Sequence, residues 1–118
     1  GRIVARFGQL RGGGLKWNGV MIEAARGTEV RALYDGRVAY ADWLPGMGLL
    51  LIIDHGGYMS LYAHNEQLFK AAGDRVEGGE VVATVGDSGG RSMPGLYLEI
   101  RRGAKPLDPV PWFRRAAP

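Results

Sequence analysis

The chain of 118 residues contains no cysteine and only two histidines, His55 and His64. Without cysteine there are no disulfides and no thiolate metal sites, while the cellular compartment stays open. Lysine is also scarce, three residues against twelve arginines, within a net charge of only +3. No basic helix, aromatic–basic repeat or zinc-finger spacing accompanies that charge, so no nucleic-acid partner is expected. An arginine-rich surface instead suits carboxylates and planar anions. Long apolar runs are missing as well: the aliphatic stretch Leu49–Ile53 falls far short of the roughly 18 residues of a membrane helix, and no membrane span is expected. Gly1-Arg2-Ile3-Val4 does not read as a signal peptide. The chain, 1–118, is therefore expected to be a single domain excised from a longer protein, with any targeting segment upstream. The last absence is sustained 3.6-residue periodicity, which leaves little room for helix.

What the sequence has is alternation, punctuated by glycine. In Pro94-Gly95-Leu96-Tyr97-Leu98-Glu99-Ile100-Arg101, Leu96, Leu98 and Ile100 share one strand face, and Gly95, Tyr97, Glu99 and Arg101 share the other. A strand with an aromatic, a carboxylate and a guanidinium on one face belongs at the floor of a groove. Leu49–Ile53 reads as a strand buried on both faces. Tyr58 to His64 reads as its partner, with Tyr58, Ser60, Tyr62 and His64 pointing the same way. Asp35-Gly36 is a hairpin signal and predicts that Glu29–Leu33 pairs with Arg37–Ala41. Shorter strands are expected at Gly1–Phe7, Val20–Ala24, Gly73–Val76 and Glu80–Val85. Gly8–Gly14 and Gly86–Met93 read as glycine-rich loops, and Asn65–Ala71 offers a helical turn. Pro106, Pro109 and Pro111 forbid a further central strand, and Trp112-Phe113 reads as a terminal aromatic anchor. The fold class is all-β, mainly antiparallel, in two layers with a central groove and very little helix.

The order of these pieces resembles the LytM or M23 family of zinc metallopeptidases, the lysostaphin-like enzymes that cut peptidoglycan cross-bridges. The resemblance rests on Asn18-Gly19-Val20 before Glu23-Ala24-Ala25 and Gly27-Thr28-Glu29-Val30; on Asp35-Gly36-Arg37-Val38; on Ile53-Asp54-His55-Gly56 with Leu61-Tyr62-Ala63-His64; and on Gly73-Asp74-Arg75-Val76 onward to Val85-Gly86. Leu98-Glu99-Ile100-Arg101 with Pro106-Leu107-Asp108-Pro109 closes it. Active members carry His-x-x-x-Asp and His-x-His. Here Trp17, Met21 and Tyr97 stand at the three zinc-ligand positions. Of the two further family histidines, one matches His64 and the other is replaced by Gly95. An indole, a thioether and a phenol do not make a tetrahedral zinc site, so the resemblance implies no metal, no other cofactor and no hydrolysis.

That pattern of loss is similar to the EnvC and NlpD type of divisome factors. These do not cut the cell wall but switch on N-acetylmuramoyl-L-alanine amidases during cell division. The implied setting is the periplasm of a Gram-negative bacterium, with an upstream region coupled to an FtsEX-type complex and this domain a monomer. The expected partner-binding groove comprises Trp17, Asn18, Met21, Met47, Tyr62, His64, Tyr97 and Arg101, residue types enriched at interface centres. The competing reading is a peptidoglycan-binding module in which the same groove holds a stem peptide, with Arg91 and Arg101 facing its carboxylates.

Overall fold

The computed structural model describes residues 1–116. Ten strands run β1 (Arg2–Ala5), β2 (Val20–Glu23), β3 (Glu29–Arg31), β4 (Gly36–Leu44), β5 (Gly48–Asp54), β6 (Met59–Leu68), β7 (Arg75–Val76), β8 (Val81–Val85), β9 (Gly95–Arg102) and β10 (Lys105–Leu107); α1 (Val110–Ala116) follows. The pairings are antiparallel, and hydrogen bonds link the strands into one open sheet of order β1-β2-β9-β6-β5-β4-β7. The long strand β6 holds it together. Its first half pairs with β5 and β9, and its second half turns to β8, which carries β3.

Side-chain alternation sorts the core into two clusters. Val20, Leu51, Ile53, Tyr62 and Leu98 face Val30, Val82, Ala83 and Val85 of the β3–β8 branch, and this is the main core. Met21, Leu50, Ala63 and Tyr97, each one residue along, form a smaller cluster on the other face. Leu51 and Ile53 are wholly buried, and each contributes about 1.5–3 kcal/mol by leaving water. Burial of β5 on both faces matches its uninterrupted apolar run.

Two expectations fail here. Glu29–Leu33 does not pair with Arg37–Ala41; β3 pairs with β8, and β4 with β5 and β7. Gly36 lies outside the left-handed region that a two-residue hairpin turn demands. A Cβ there would sit 2.5 Å from Asp54 O, so this glycine serves a close strand contact. The Asp35 carboxylate instead accepts the Gly78 N–H at 2.7 Å, and Ala32 exchanges bonds with Gly79 and Glu80, which draws the chain toward β8.

The helical turn at Asn65–Ala71 is also absent, because β6 continues through Leu68. Asn65 is buried, and its amide donates to the carbonyls of Leu49 and Tyr62. The glycine-rich loop from Gly86 is present as expected and is pinned to the strands. Ser88 Oγ donates to Asn65 O at 2.7 Å and accepts Leu49 N–H at 3.0 Å. Arg26 pairs with Asp87 at 2.6 Å nearby. The C-terminal reading holds: Pro106 lies in β10, which pairs only with the end of β9, and Trp112 packs on Tyr58 with ring centroids 4.3 Å apart.

Candidate functional site: a groove floored by β2 and β9

The register Met21↔Tyr97 places these two side chains together on the face away from the main core. Around them lies a groove of about 380 Å³. The walls come from the segment before β2 (Arg11, Trp17, Asn18), the β4–β5 connection (Gly46, Met47), and the loop before β9 (Gly89, Arg91). Glu99 and Arg101 extend the floor, and His64 enters from β6. Of the eight residues expected to line the groove, seven do so: Trp17, Asn18, Met21, Met47, His64, Tyr97 and Arg101.

Tyr62 does not. It is 1% exposed, belongs to the main core, and its hydroxyl accepts Leu33 N–H at 3.1 Å while bonding Ser60 Oγ at 2.7 Å. Burial pushes its phenol up to about 12. Tyr62 and His64 part company because β6 carries a bulge: between Leu51↔Tyr62 and Leu49↔Asn65, three steps on β6 face two on β5. His64 takes up the extra residue with φ 66, the left-handed region, and is thereby turned into the groove.

The polar chemistry of the floor is a short chain of charge-assisted bonds. Tyr97 donates its hydroxyl to Glu99 Oε2 at 2.6 Å, and Arg101 Nε donates to Glu99 Oε1 at 2.6 Å. Glu99 is 2% exposed, and these two donors satisfy its buried oxygens. Burial and the neighbouring carboxylate drive the Tyr97 phenol far above its ordinary range, which keeps it a proton donor. The pairing of Arg101 with Glu99 uses Nε only. Its two terminal amino groups make no hydrogen bond among the described residues.

Arg11 was not foreseen, since a glycine-rich loop gives no sign of where it returns. Bonds from Gly8 N–H to Trp17 O at 2.9 Å and from Trp17 N–H to Gln9 O at 2.8 Å fold it into a small arm. Arg11 then lies 3.9 Å over the Trp17 ring, and Trp17 tilts against Tyr97 at 5.8 Å. His64 donates from Nδ1 to Ser88 O at 2.7 Å, and burial, with Arg91 nearby, lowers its pKa.

These residues do not fit zinc. Trp17, Met21 and Tyr97 offer an indole, a buried thioether and a phenol already donating to Glu99. Among the described residues no three His, Cys, Asp or Glu side chains come together to hold a metal ion. No side chain fits at Gly95 either: a Cβ there would sit 2.7 Å from Met21 Cε and 2.9 Å from Ile22 O.

This antiparallel sheet is the fold of the lysostaphin-like class. The catalytic domain of the prophage-encoded M23 protein EnpA from Enterococcus faecalis superposes with a TM-score of 0.83 at 26% identity, covering 92% of this chain and 88% of that one. Residues 15–109 match the profile of peptidase family M23, and the chain belongs to that family. It is 46% identical over 116 residues to the murein hydrolase activator EnvC of Escherichia coli K12, covering 98% of this chain and 28% of the relative. It is 38% identical over 112 residues to the murein hydrolase activator NlpD of the same organism, covering 93% and 28%. The chain thus spans little more than a quarter of the length of these curated relatives.

Proposed function

We propose that this domain is a non-catalytic activator of N-acetylmuramoyl-L-alanine amidases in the splitting of peptidoglycan at cell division, and that it holds the amidase in the groove on β2 and β9. The observation that carries the reading is the Tyr97–Glu99–Arg101 chain. A position that would bind metal in an active peptidase instead donates a hydrogen bond to a carboxylate, and that carboxylate orients an arginine. The names of the EnvC and NlpD relatives support the activator part. A floor of Trp17, Met21 and Tyr97 under Arg11, Arg91 and Arg101 supports a protein partner carrying apolar and acidic side chains. The setting that goes with this reading is periplasmic in a Gram-negative bacterium, with the domain acting as a monomer and an upstream region coupling it to an FtsEX-type complex.

Release of dye from labelled sacculi by a purified amidase tests this directly. The domain alone should release nothing, and its addition should raise release by the amidase. Chelator-sensitive release by the domain alone, or an amidase that neither binds nor responds to it, overturns the reading. Retention of the domain by sacculi without amidase would favour the peptidoglycan-binding alternative.

A further inference from the structure

His64 is held more rigidly than a side chain at a groove rim needs to be. Its backbone is in the left-handed region, uncommon for a residue other than glycine, and its N–H donates to Met47 O at 2.8 Å. Its Nδ1 lies 2.7 Å from Ser88 O. A carbonyl has no proton to give, so Nδ1 carries the hydrogen, and Nε2 of the neutral ring is a bare acceptor. Ser88 cannot turn away, because its hydroxyl is fixed between Leu49 N–H and Asn65 O. His64 is 8% exposed, its ring lies 6.4 Å from that of Tyr97, and it lines the groove. Nε2 makes no hydrogen bond among the described residues.

The charged groups lining the same groove are Arg11, Arg91, Glu99 and Arg101. Both Glu99 oxygens are engaged by Tyr97 and Arg101, so the groove's one carboxylate is not available to a ligand's donor. Burial together with Arg91 favours the neutral ring. The groove therefore offers a guanidinium seeking an acceptor and, on a different strand, an imidazole nitrogen seeking a donor. A partner that covered Nε2 without supplying a donor would leave a buried acceptor unsatisfied.

Resting on the activator reading above, we infer that His64 is a specificity-determining acceptor: the amidase segment seated in the groove presents a hydrogen-bond donor to His64 Nε2 as well as a carboxylate to Arg101. Partners that carry the carboxylate but an apolar side chain at the second point are selected against, because discrimination comes as much from the unmet bond as from the met one.

The experiment is a titration of the full chain against a purified N-acetylmuramoyl-L-alanine amidase at pH 7.5 and again at pH 5.5. His64→Asn and His64→Gln are measured beside the parent. Asparagine tolerates the left-handed backbone and places an N–H toward Ser88 O, but it has no atom at the Nε2 position. Glutamine reaches that position with an amide oxygen and does not titrate. His64→Asn should melt like the parent and bind about tenfold more weakly at pH 7.5. His64→Gln should recover part of that loss. The parent should weaken further at pH 5.5, where a protonated ring turns the acceptor into a donor, by more than His64→Gln does. A folded His64→Asn that binds as tightly as the parent at both pH values overturns the inference. A parent that does not bind the amidase at either pH defeats the activator reading itself.

Discussion

Two chains of hydrogen bonds run on opposite faces of β6 and β9, and they differ in how they end. On the core face, His55 bonds Asp35 O at 2.9 Å and Ser60 Oγ at 2.7 Å; Ser60 meets Tyr62 at 2.7 Å, and Tyr62 accepts Leu33 N–H at 3.1 Å. Both ends of this chain are backbone groups, so it is closed. On the groove face, Tyr97 and Arg101 converge on Glu99, and the arginine's terminal amino groups have no partner among the described residues. The same chemistry thus ties one face shut and leaves the other with a fixed, available cation. A tyrosine sits in each chain, and only its neighbours decide whether it belongs to stability or to binding.

The largest effect expected from breaking this comparison is on the closed side. Tyr62→Ala removes a wholly buried ring and strands Leu33 N–H, and should cost about 3–5 kcal/mol in a denaturant titration. Protein that remains folded should bind the amidase like the parent. A Tyr62→Ala domain of parental stability that lost binding would return Tyr62 to the groove.

On the open side, Arg101→Ala should weaken amidase binding by about 2 kcal/mol, roughly thirtyfold. It also leaves the buried Glu99 with Tyr97 as its single donor, so the melting temperature should fall too. Arg101→Lys separates the two effects. It keeps a positive charge for Glu99 but loses the guanidinium fork, and should keep most of the stability while losing most of the affinity. Parental affinity in Arg101→Lys would show that the amidase does not read the fork.

The open chain was legible in the sequence because Gly95 to Arg101 alternates without interruption, and period 2 is all that is needed to put Tyr97, Glu99 and Arg101 on one face. The closed chain was misread for the opposite reason. Tyr62 and His64 are two apart and share a face only in a regular strand, and nothing in Leu61-Tyr62-Ala63-His64 announces the bulge that separates them. Asp35-Gly36 carries the usual hairpin signal, but that signal is local, while the bonds from Gly78, Gly79 and Glu80 that redirect the chain come from more than forty residues away. Arg11 reaches the groove by a fold-back of a glycine-rich arm onto Trp17, for which composition gives no cue.

A smaller effect is expected at the filled position on the groove floor. Gly95→His places an imidazole where Met21 Cε and Ile22 O already stand 2.7 and 2.9 Å from the new Cβ. Overpacking of this kind costs about 1–3 kcal/mol. Adding Met21→Ala should recover part of it, because the thioether end can be removed while the Ile22 carbonyl cannot. Fully additive losses in that double-mutant cycle would mean that the two sites do not share the space.

The smallest expected effect separates the two chains by pH. Nδ1 of His55 faces the Asp35 carbonyl and must carry a hydrogen, so Nε2 of the neutral ring is an acceptor facing the Ser60 hydroxyl, which also bonds Tyr62. Protonating His55 turns Nε2 from an acceptor into a donor and so disturbs the contact with Ser60 on which Tyr62 rests. Burial adds to this, and the His55 pKa lies below its ordinary 6.5. The unfolded chain then takes up the proton first, so the stabilisation is complete above pH 6.5 and is lost as the pH falls toward the folded value. His64 shifts in the same direction, whereas the stability contributed by Glu80 and Asp87, held down by Lys70 and Arg26, is complete above their ordinary values of 4.5 and 3.8 and is lost only below them. Thermal melts between pH 7.5 and 5 should therefore show a modest decline that belongs to the two histidines. In His64→Asn a part of it should persist, and that part is the closed chain's. A melting temperature that is flat over this range in His64→Asn would mean that His55 takes up a proton without disturbing Ser60 and Tyr62.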